Sequence, residues 1–365
     1  MKNKFTLKLS AYLIPVLLTM TIASCKKDHN VKIAEPGKYE NGFFVVNEGW
    51  FGHGTGTVSF FDYAKGALTD SIFTKENPGK TLEPIGSTLE FGTIYNHKFY
   101  LLSKAGGPLV VTDDLSLKET GRIAAASGND WRAFVGIDSN TGLVSTGDGI
   151  YQLNLQTVTL GAKISGVSGE VGDLIKAGNY IFALSQSSGV VVLNATTYAV
   201  VKTIPGLEVA FARSKDGAIW AAGGTQLVRI DPATLVVQAI TVPFTVNGSW
   251  GAWHPGSITA STTENAIFIA KNGPYSGGTQ IYKYTAANAA SFTTPFVTVP
   301  AGKEMYGAGL AYNEKLNQLV VTTVKSGYGT NYSVNDLYFY DPSSGAQSKD
   351  ISYTGYYFPA TFVFH

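Results

Sequence analysis

EVGDLIKAGNYIFALSQSSGVVVLNATTYAVVKTI, Glu170 to Ile204, reads as four strands in succession. EVGDLIKA leads into a turn at Ala177-Gly178-Asn179, and YIFALS follows. Gln186 to Ser188 is short enough for a hairpin, and VVVLN comes next. Runs this short, rich in β-branched and aromatic residues and bounded by Gly, Asn and Ser, are strands joined by tight turns. Asn194 ends the third run, where its side chain can hydrogen-bond the turn that leads into VVKTI.

The unit recurs. An apolar strand ending in Asp or Asn, then a turn and a strand, appears as SFFDYAKGALTDSI, LVVTDDLSLKETGRI, IYQLNLQTVTLGAKI, LVRIDPATLVVQAI and LYFYDPSSGAQSKDI. A weaker copy is IYKYTAANAASFTTPF. The anchors are Asp62, Asp113, Asn154, Asn194, Asp231, Tyr284 and Asp341. Inner strands precede six of them: LEFGTIYN, RAFVGID, EVGDLIKA, VAFARSKD, GSITASTTE and GAGLAYNE. The seventh inner strand is YYFPATFVF, Tyr356 to Phe364, which has no following strands of its own, while Phe43 to Phe73 has three strands and lacks an inner one. The two therefore complete one blade. The expectation is an all-β, seven-bladed β-propeller over residues 43–365, closed by pairing the C-terminal strand with the N-terminal three. A pair of β-sandwiches is the alternative, and seven copies of one unit count against it. Trp220, Phe43, Val45, Phe60, Phe99, Leu101, Ile181 and Ile267 read as core between blades.

Composition agrees. Gly contributes 41 residues, Tyr and Phe 20 each, and charged residues only 15%. With a net charge of +1 and no basic stripe, a nucleic-acid partner is not expected.

The first residues speak to location. MKNKFTLK is basic, and AYLIPVLLTMTIAS is apolar but too short to span a bilayer, the pattern of a secretory signal over residues 1–24. Ile22-Ala23-Ser24-Cys25 resembles the bacterial lipobox, in which the cysteine is lipidated. Cys25 is the only cysteine, so no disulfide is expected, and polar residues 25–42 read as a tether. The expectation is a domain anchored by lipid to the outer membrane, at the cell surface or facing the periplasm.

Loops between second and third strands open on the same propeller face as the connections between blades. Three are minimal: Gly147 to Gly149, Gln186 to Ser188 and Gly223 to Thr225. Four are long: NEGWFGHGTG, SKAGGP, KNGPYSGG and VKSGYGTNYSVN, on blades one, two, six and seven, which are consecutive around a ring. Candidate ligand-binding residues on that face are Trp50, Phe51, His53, Tyr275, Tyr328 and Tyr332 from the loops. Trp131, Arg132, Trp250, Trp253, His254, Tyr306 and Tyr356 join them from the connections. Aromatics with polar tips on glycine-rich loops form an amphipathic platform that a ligand can approach closely. The alternative is that they plug the channel or pack under their own loops.

No GxSxG, HExxH, Walker loop or dinucleotide fingerprint is present, so neither catalysis nor a cofactor is expected. His53 and His254 could ligate a metal, and Glu48, Asp130, Glu304 and Asp336 could hold calcium, but their spacing matches no metal loop and no metal site is expected.

The lipobox, the block FFVVNEGWFGHGTGTVSFFD with its Asn47-Glu48-Gly49, and the seven repeats resemble a family of Bacteroidetes surface lipoproteins with YncE-like seven-bladed propellers (DUF5074-like). The resemblance extends to cobalamin-capture lipoproteins that sit over an outer-membrane transporter. It implies a corrinoid ligand and a TonB-dependent partner, without carrying over binding residues one by one. A glycan-binding or adhesion module is the rival reading, and a propeller lactonase or quinone-type dehydrogenase a third.

The lipobox reading makes a direct prediction. Cys25→Ala should release the protein from membranes into the soluble fraction, and fractionation showing it still membrane-bound would contradict lipidation.

Overall fold

The computed structural model describes residues 37–365, apart from 85, 248–255, 287 and 289. The signal, Cys25, most of the tether, Trp250, Trp253 and His254 lie outside the described residues.

Seven antiparallel sheets form a ring, and the fold is a seven-bladed β-propeller. The inner strands are Pro359–Phe364 in blade one, then Thr88–Tyr95, Trp131–Gly136, Val171–Ala177, Phe211–Arg213, Ile258–Ala260 and Lys303–Asn313. Each neighbours the next, and the last returns to Pro359–Phe364. Blade five departs slightly from the pattern. Its second and third strands run together as Ile219–Ile230 through Gly223 and Gly224. The first part pairs with Phe211–Arg213 and the later part with Val237–Val246. One short helix, Ile72–Glu76, leads out of blade one and buries Ile72 and Phe73.

The repeated Asp/Asn acts as expected. The Asp62 side chain accepts hydrogen bonds from the Ala64 and Lys65 N–H groups. Asp113, Asn154, Asn194, Asp231 and Asp341 each take the corresponding pair. A further regularity was not visible in the pattern. The residue four places after each of these anchors is left-handed, with φ between 52° and 75°. In two blades it is Gly66 or Gly345, but elsewhere it is Leu117, Val158, Tyr198 or Leu235. A side chain in that conformation costs about 1–2 kcal/mol. Burial offsets it: all four side chains pack into the core shared with the preceding blade. Blade six, anchored by Tyr284, lacks the carboxylate or amide, and its turn is held instead through Ser291, which bonds both the N–H and the carbonyl of Thr285.

Closure follows the expected pairing. Gly42–Asn47 runs antiparallel to Pro359–Phe364, with Phe43 opposite Phe364 and Val45 opposite Phe362. The packing begins earlier than Phe43. Tyr39 is buried against Phe60, ring centroids 5.1 Å apart, and its N–H donates to the Leu115 carbonyl at 2.9 Å. Tyr39, within the polar run 25–42, therefore belongs to the propeller core.

Removing Tyr356 to His365 would strip blade one of its inner strand and expose two unpaired edges. The truncated chain should aggregate or lose well over 10 °C in Tm. Melting within a few degrees of the parent would refute this closure.

Candidate ligand-binding site

The loop 48–56 is shaped by two turns. The N–H groups of His53 and Gly54 both donate to the Trp50 carbonyl at 2.8 Å. Gly49 is left-handed with φ 77°, and a Cβ there would stand 2.6 Å from the backbone of Thr55 and Gly56. Only glycine fits, and the loop is turned so that Trp50 lies over the channel mouth. Two ladder-like bonds fix it to the closing strand: Glu48 N–H to the Phe358 carbonyl, 2.9 Å, and Gly49 N–H to the Tyr357 carbonyl, 3.0 Å.

Most of the expected aromatics among the described residues come together there. Trp50 stacks on Tyr356 with centroids 4.5 Å apart and lies 4.2 Å from the His53 ring. Phe358 is the hub beneath, with Tyr306 at 5.3 Å, Tyr332 at 5.6 Å and Trp50 at 6.4 Å. Tyr328 leans on Tyr332 at 6.0 Å and is 82% exposed. Tyr275, on the blade-six loop, is 90% exposed and stands apart from this cluster. Phe358 was not foreseen, although it has φ 53°, a genuine outlier for a bulky residue and a mark of a constrained site.

A cavity of about 440 Å³ opens beside this wall. Trp50, exposed Phe51, Phe358 and Ala105 form its apolar side, and Glu48, Thr88, Lys104, Asp130, Arg132 and Tyr306 its polar floor. It lies on blades seven, one, two and three rather than six, seven, one and two. The minimal loop of blade three packs on Asp130, with the Gly147 N–H donating to the Asp130 carbonyl at 3.1 Å. The structure also corrects the reading of Trp131. That ring is buried between blades two and three, and its Nε1–H donates to the Gly107 carbonyl at 3.0 Å. It buttresses the blade-two loop and does not face the pocket.

The floor is a chain of buried charges. Lys104 Nζ is 2.6 Å from Glu90, and Arg132 reaches Glu90 at 3.6 Å, Asp130 at 3.0 Å and Glu170 at 3.1 Å. Burial acts to lower the Arg132 guanidinium, but Glu90, Glu170 and Asp130 together hold it above its ordinary range. The Tyr306 hydroxyl donates to Glu48 Oε2 at 2.8 Å, and burial with Glu48 beside it pushes that hydroxyl far up. Burial raises Glu170 as well. Glu90, Arg132 and Glu170 head three consecutive inner strands, LEFGTIYN, RAFVGID and EVGDLIKA. Alternating charge at those heads was the available signal for this floor.

Asp130 and Asp336, among the suggested calcium ligands, are engaged elsewhere, and His254 lies outside the described residues. Asp336 is tied to Lys303 and Ser352, and Asp130 to Arg132. Among the described residues no group of three or more His, Cys, Asp or Glu side chains could hold a metal ion.

Glu83 lies under the loop, where its carboxyl accepts the Gly56 N–H. Burial first, and Glu48 nearby, push it up from 4.5 to about 9, so it is protonated in the folded protein at neutral pH. Its folded pKa exceeds the unfolded one. The stability it contributes is complete below about pH 4.5 and lost as pH rises towards 9. Glu83→Gln keeps the acceptor and removes the titration. The variant should match the parent near pH 5 and exceed it by about 2–4 kcal/mol near pH 8. Urea melts of both proteins at the two pH values test this, and a difference that does not grow with pH would refute it.

Similar shapes among solved structures are remote in sequence. A computationally designed protein, Ika8, superposes with a TM-score of 0.52 at 14% identity, over 87% of this chain and 89% of its own. The extracellular domain of a proposed hybrid two-component system from B. thetaiotaomicron gives 0.52 at 14% identity, over 72% of this chain and 33% of its own. PorZ, a surface component of the type-IX secretion system of Porphyromonas gingivalis, gives 0.46 at 13% identity, over 81% and 36%. The chain spans about a third of the length of the two bacterial proteins, and the likeness to Ika8 and to the B. thetaiotaomicron domain speaks to fold alone. No curated protein sequence matches this chain. Residues 41–365, the whole propeller, match the family described as a domain of unknown function, DUF5074, and the chain belongs to that family.

Proposed function

We propose that this propeller is a non-catalytic binding protein, lipid-anchored through Cys25 at the outer membrane, which captures a corrinoid for a TonB-dependent transporter. One observation carries the reading of a binding site: an aromatic wall and a buried polar floor meet in a single cavity at the channel mouth. Small-molecule sites combine an apolar enclosure with a few placed polar groups in this way. The cavity's 440 Å³ would take one edge of a corrinoid, and the outward surfaces of Phe51, Tyr356 and Tyr328 would support the rest of a broad, partly flat molecule. The corrinoid itself is suggested by the family resemblance of the Asn47-Glu48-Gly49 block and the lipobox. A glycan is the second reading, favoured by the exposure of Tyr275 and Tyr328, whose free ring faces could stack on sugars.

Titrating cyanocobalamin into the protein by calorimetry decides between them. Trp50 is half-buried on a loop, so Trp50→Ala should weaken binding about thirtyfold, or ~2 kcal/mol, with little change in Tm. Trp220, buried in the core between blades five and six with its indole N–H on Ser214, is the control. Trp220→Ala should destabilise the fold by ~3–5 kcal/mol. Normal affinity in a folded Trp50→Ala protein would make the aromatic cluster packing, and a null titration with the parent would remove the corrinoid.

A further inference from the structure

We infer that the opposite mouth of the channel carries a second site, for a small molecule with an anionic group on an apolar body. The inner strands start at the mouth where Thr88 and Arg132 line the first pocket, so their ends meet at the other. There Thr88–Tyr95, Trp131–Gly136, Val171–Ala177 and Phe211–Arg213, from blades two to five, enclose a cavity of about 540 Å³. Phe91, Tyr95, Phe134, Ile137, Leu174 and Ile175 form its apolar wall, and Lys176 and Arg213 complete the lining. Phe91, Tyr95, Ile137 and Ile175 are only half-buried, so much of that wall faces the cavity rather than the core. Gly136 lets the Tyr95 ring lie across the neighbouring strand, since a Cβ there would stand 2.3 Å from the ring.

The two mouths differ in how their cations are matched. At the first, Lys104 and Arg132 each have a carboxylate beside them. Among the described residues Lys176 and Arg213 form no ion pair, because the acids on the surrounding strands and turns are engaged elsewhere. Asp216 pairs with Arg229, Asp138 accepts the N–H groups of Asn140 and Thr141, and Asp173 accepts those of Leu174 and Phe211. The Arg213 guanidinium donates to the Lys176 carbonyl, which fixes it between blades four and five and leaves its other N–H groups to meet an acceptor. Other lysines of this face are held, Lys215 by the Thr263 carbonyl and Lys315 by Asn41. An apolar wall alone would take any hydrophobe, and two unmatched cations alone would take any anion. Together they select a molecule that is both: burial of the body supplies affinity and the charge supplies the choice. A bare anion gains only a contact with partly exposed cations, which is worth little.

The test is a matched pair of probes, 4-phenylbutyrate and 4-phenylbutyramide, which share a body and differ in charge. Each is titrated into the full chain at neutral pH and followed by NMR at the Ile137, Leu174 and Ile175 methyl groups, with the Trp50 indole N–H reporting on the other mouth. The butyrate should shift all three methyl signals and leave Trp50 in place. It should bind about fivefold more tightly than the amide, an advantage that shrinks in ~1 M salt. Lys176→Gln and Arg213→Gln should each bring the butyrate towards the affinity of the amide, with the amide and Tm unchanged. Equal affinities of the two probes, or a butyrate affinity unaltered in both variants, would overturn the inference. So would the absence of any methyl shift at ~20 mM, where fragments of this size saturate a formed site. Inorganic phosphate binding as tightly as the butyrate would reduce the two cations to a plain anion contact and overturn it as well. A butyrate that moves Trp50 and not the methyl groups would belong to the first pocket, and the second site would be refuted.

Discussion

The pairing of Gly42–Asn47 with Pro359–Phe364 is the constraint on which the rest depends. It closes the ring, so every sheet has a neighbour on both sides. It also builds the site. The bonds from Glu48 and Gly49 to Phe358 and Tyr357 continue the pairing past the strand, across a bulge at Val46 and Asn47. They bring Trp50 over Phe358, and Tyr306 arrives from the adjoining blade to reach Glu48. Backbone pairing thus fixes the aromatic wall before any ligand is present, which is what keeps a binding surface from losing entropy on association.

The floor obeys a different logic. Lys104, Glu90, Arg132 and Glu170 tie blades two, three and four at the channel mouth. Buried ion pairs rarely add much to stability, since desolvating the charges costs about what the attraction returns. Apolar residues on those inner strands would close the ring equally well. Lys104, Glu90 and Arg132, held nine-tenths out of water, are better explained by what they meet at the channel mouth than by what they hold together.

The fold was legible because its signals are local. An Asp or Asn ending a strand organises the next four residues by itself, and six copies announce a repeat. The left-handed Leu117, Val158, Tyr198 and Leu235 were not legible, because the burial that offsets their strain comes from the preceding blade. The site was half legible for the same reason. Aromatics on long loops stand out in the sequence. The floor does not: Glu90, Arg132 and Glu170 lie about 40 residues apart and meet only across blades. Trp131 and Arg132 are adjacent, but the strand is bulged between Trp131 and Ala133, so a reading by proximity grouped a ring packed between blades with a guanidinium at the channel floor.

Where the cavity sits follows from how the ring is built. The inner strands of blades seven, one, two and three run for 11, 6, 8 and 6 residues. Those of blades five and six run for only 3 each. The pocket therefore lies away from the short inner strands of blades five and six, and Thr88, Lys104, Arg132 and Tyr306 of its floor are carried on strands. Sites carried on such elements keep their geometry to within fractions of an ångström. Tyr275 and Tyr328, on loops above the ring, have no comparable support. Recognition should accordingly be set by the strand-borne floor and the Trp50–Phe358 wall, with the outer tyrosines adding contact area and little selectivity.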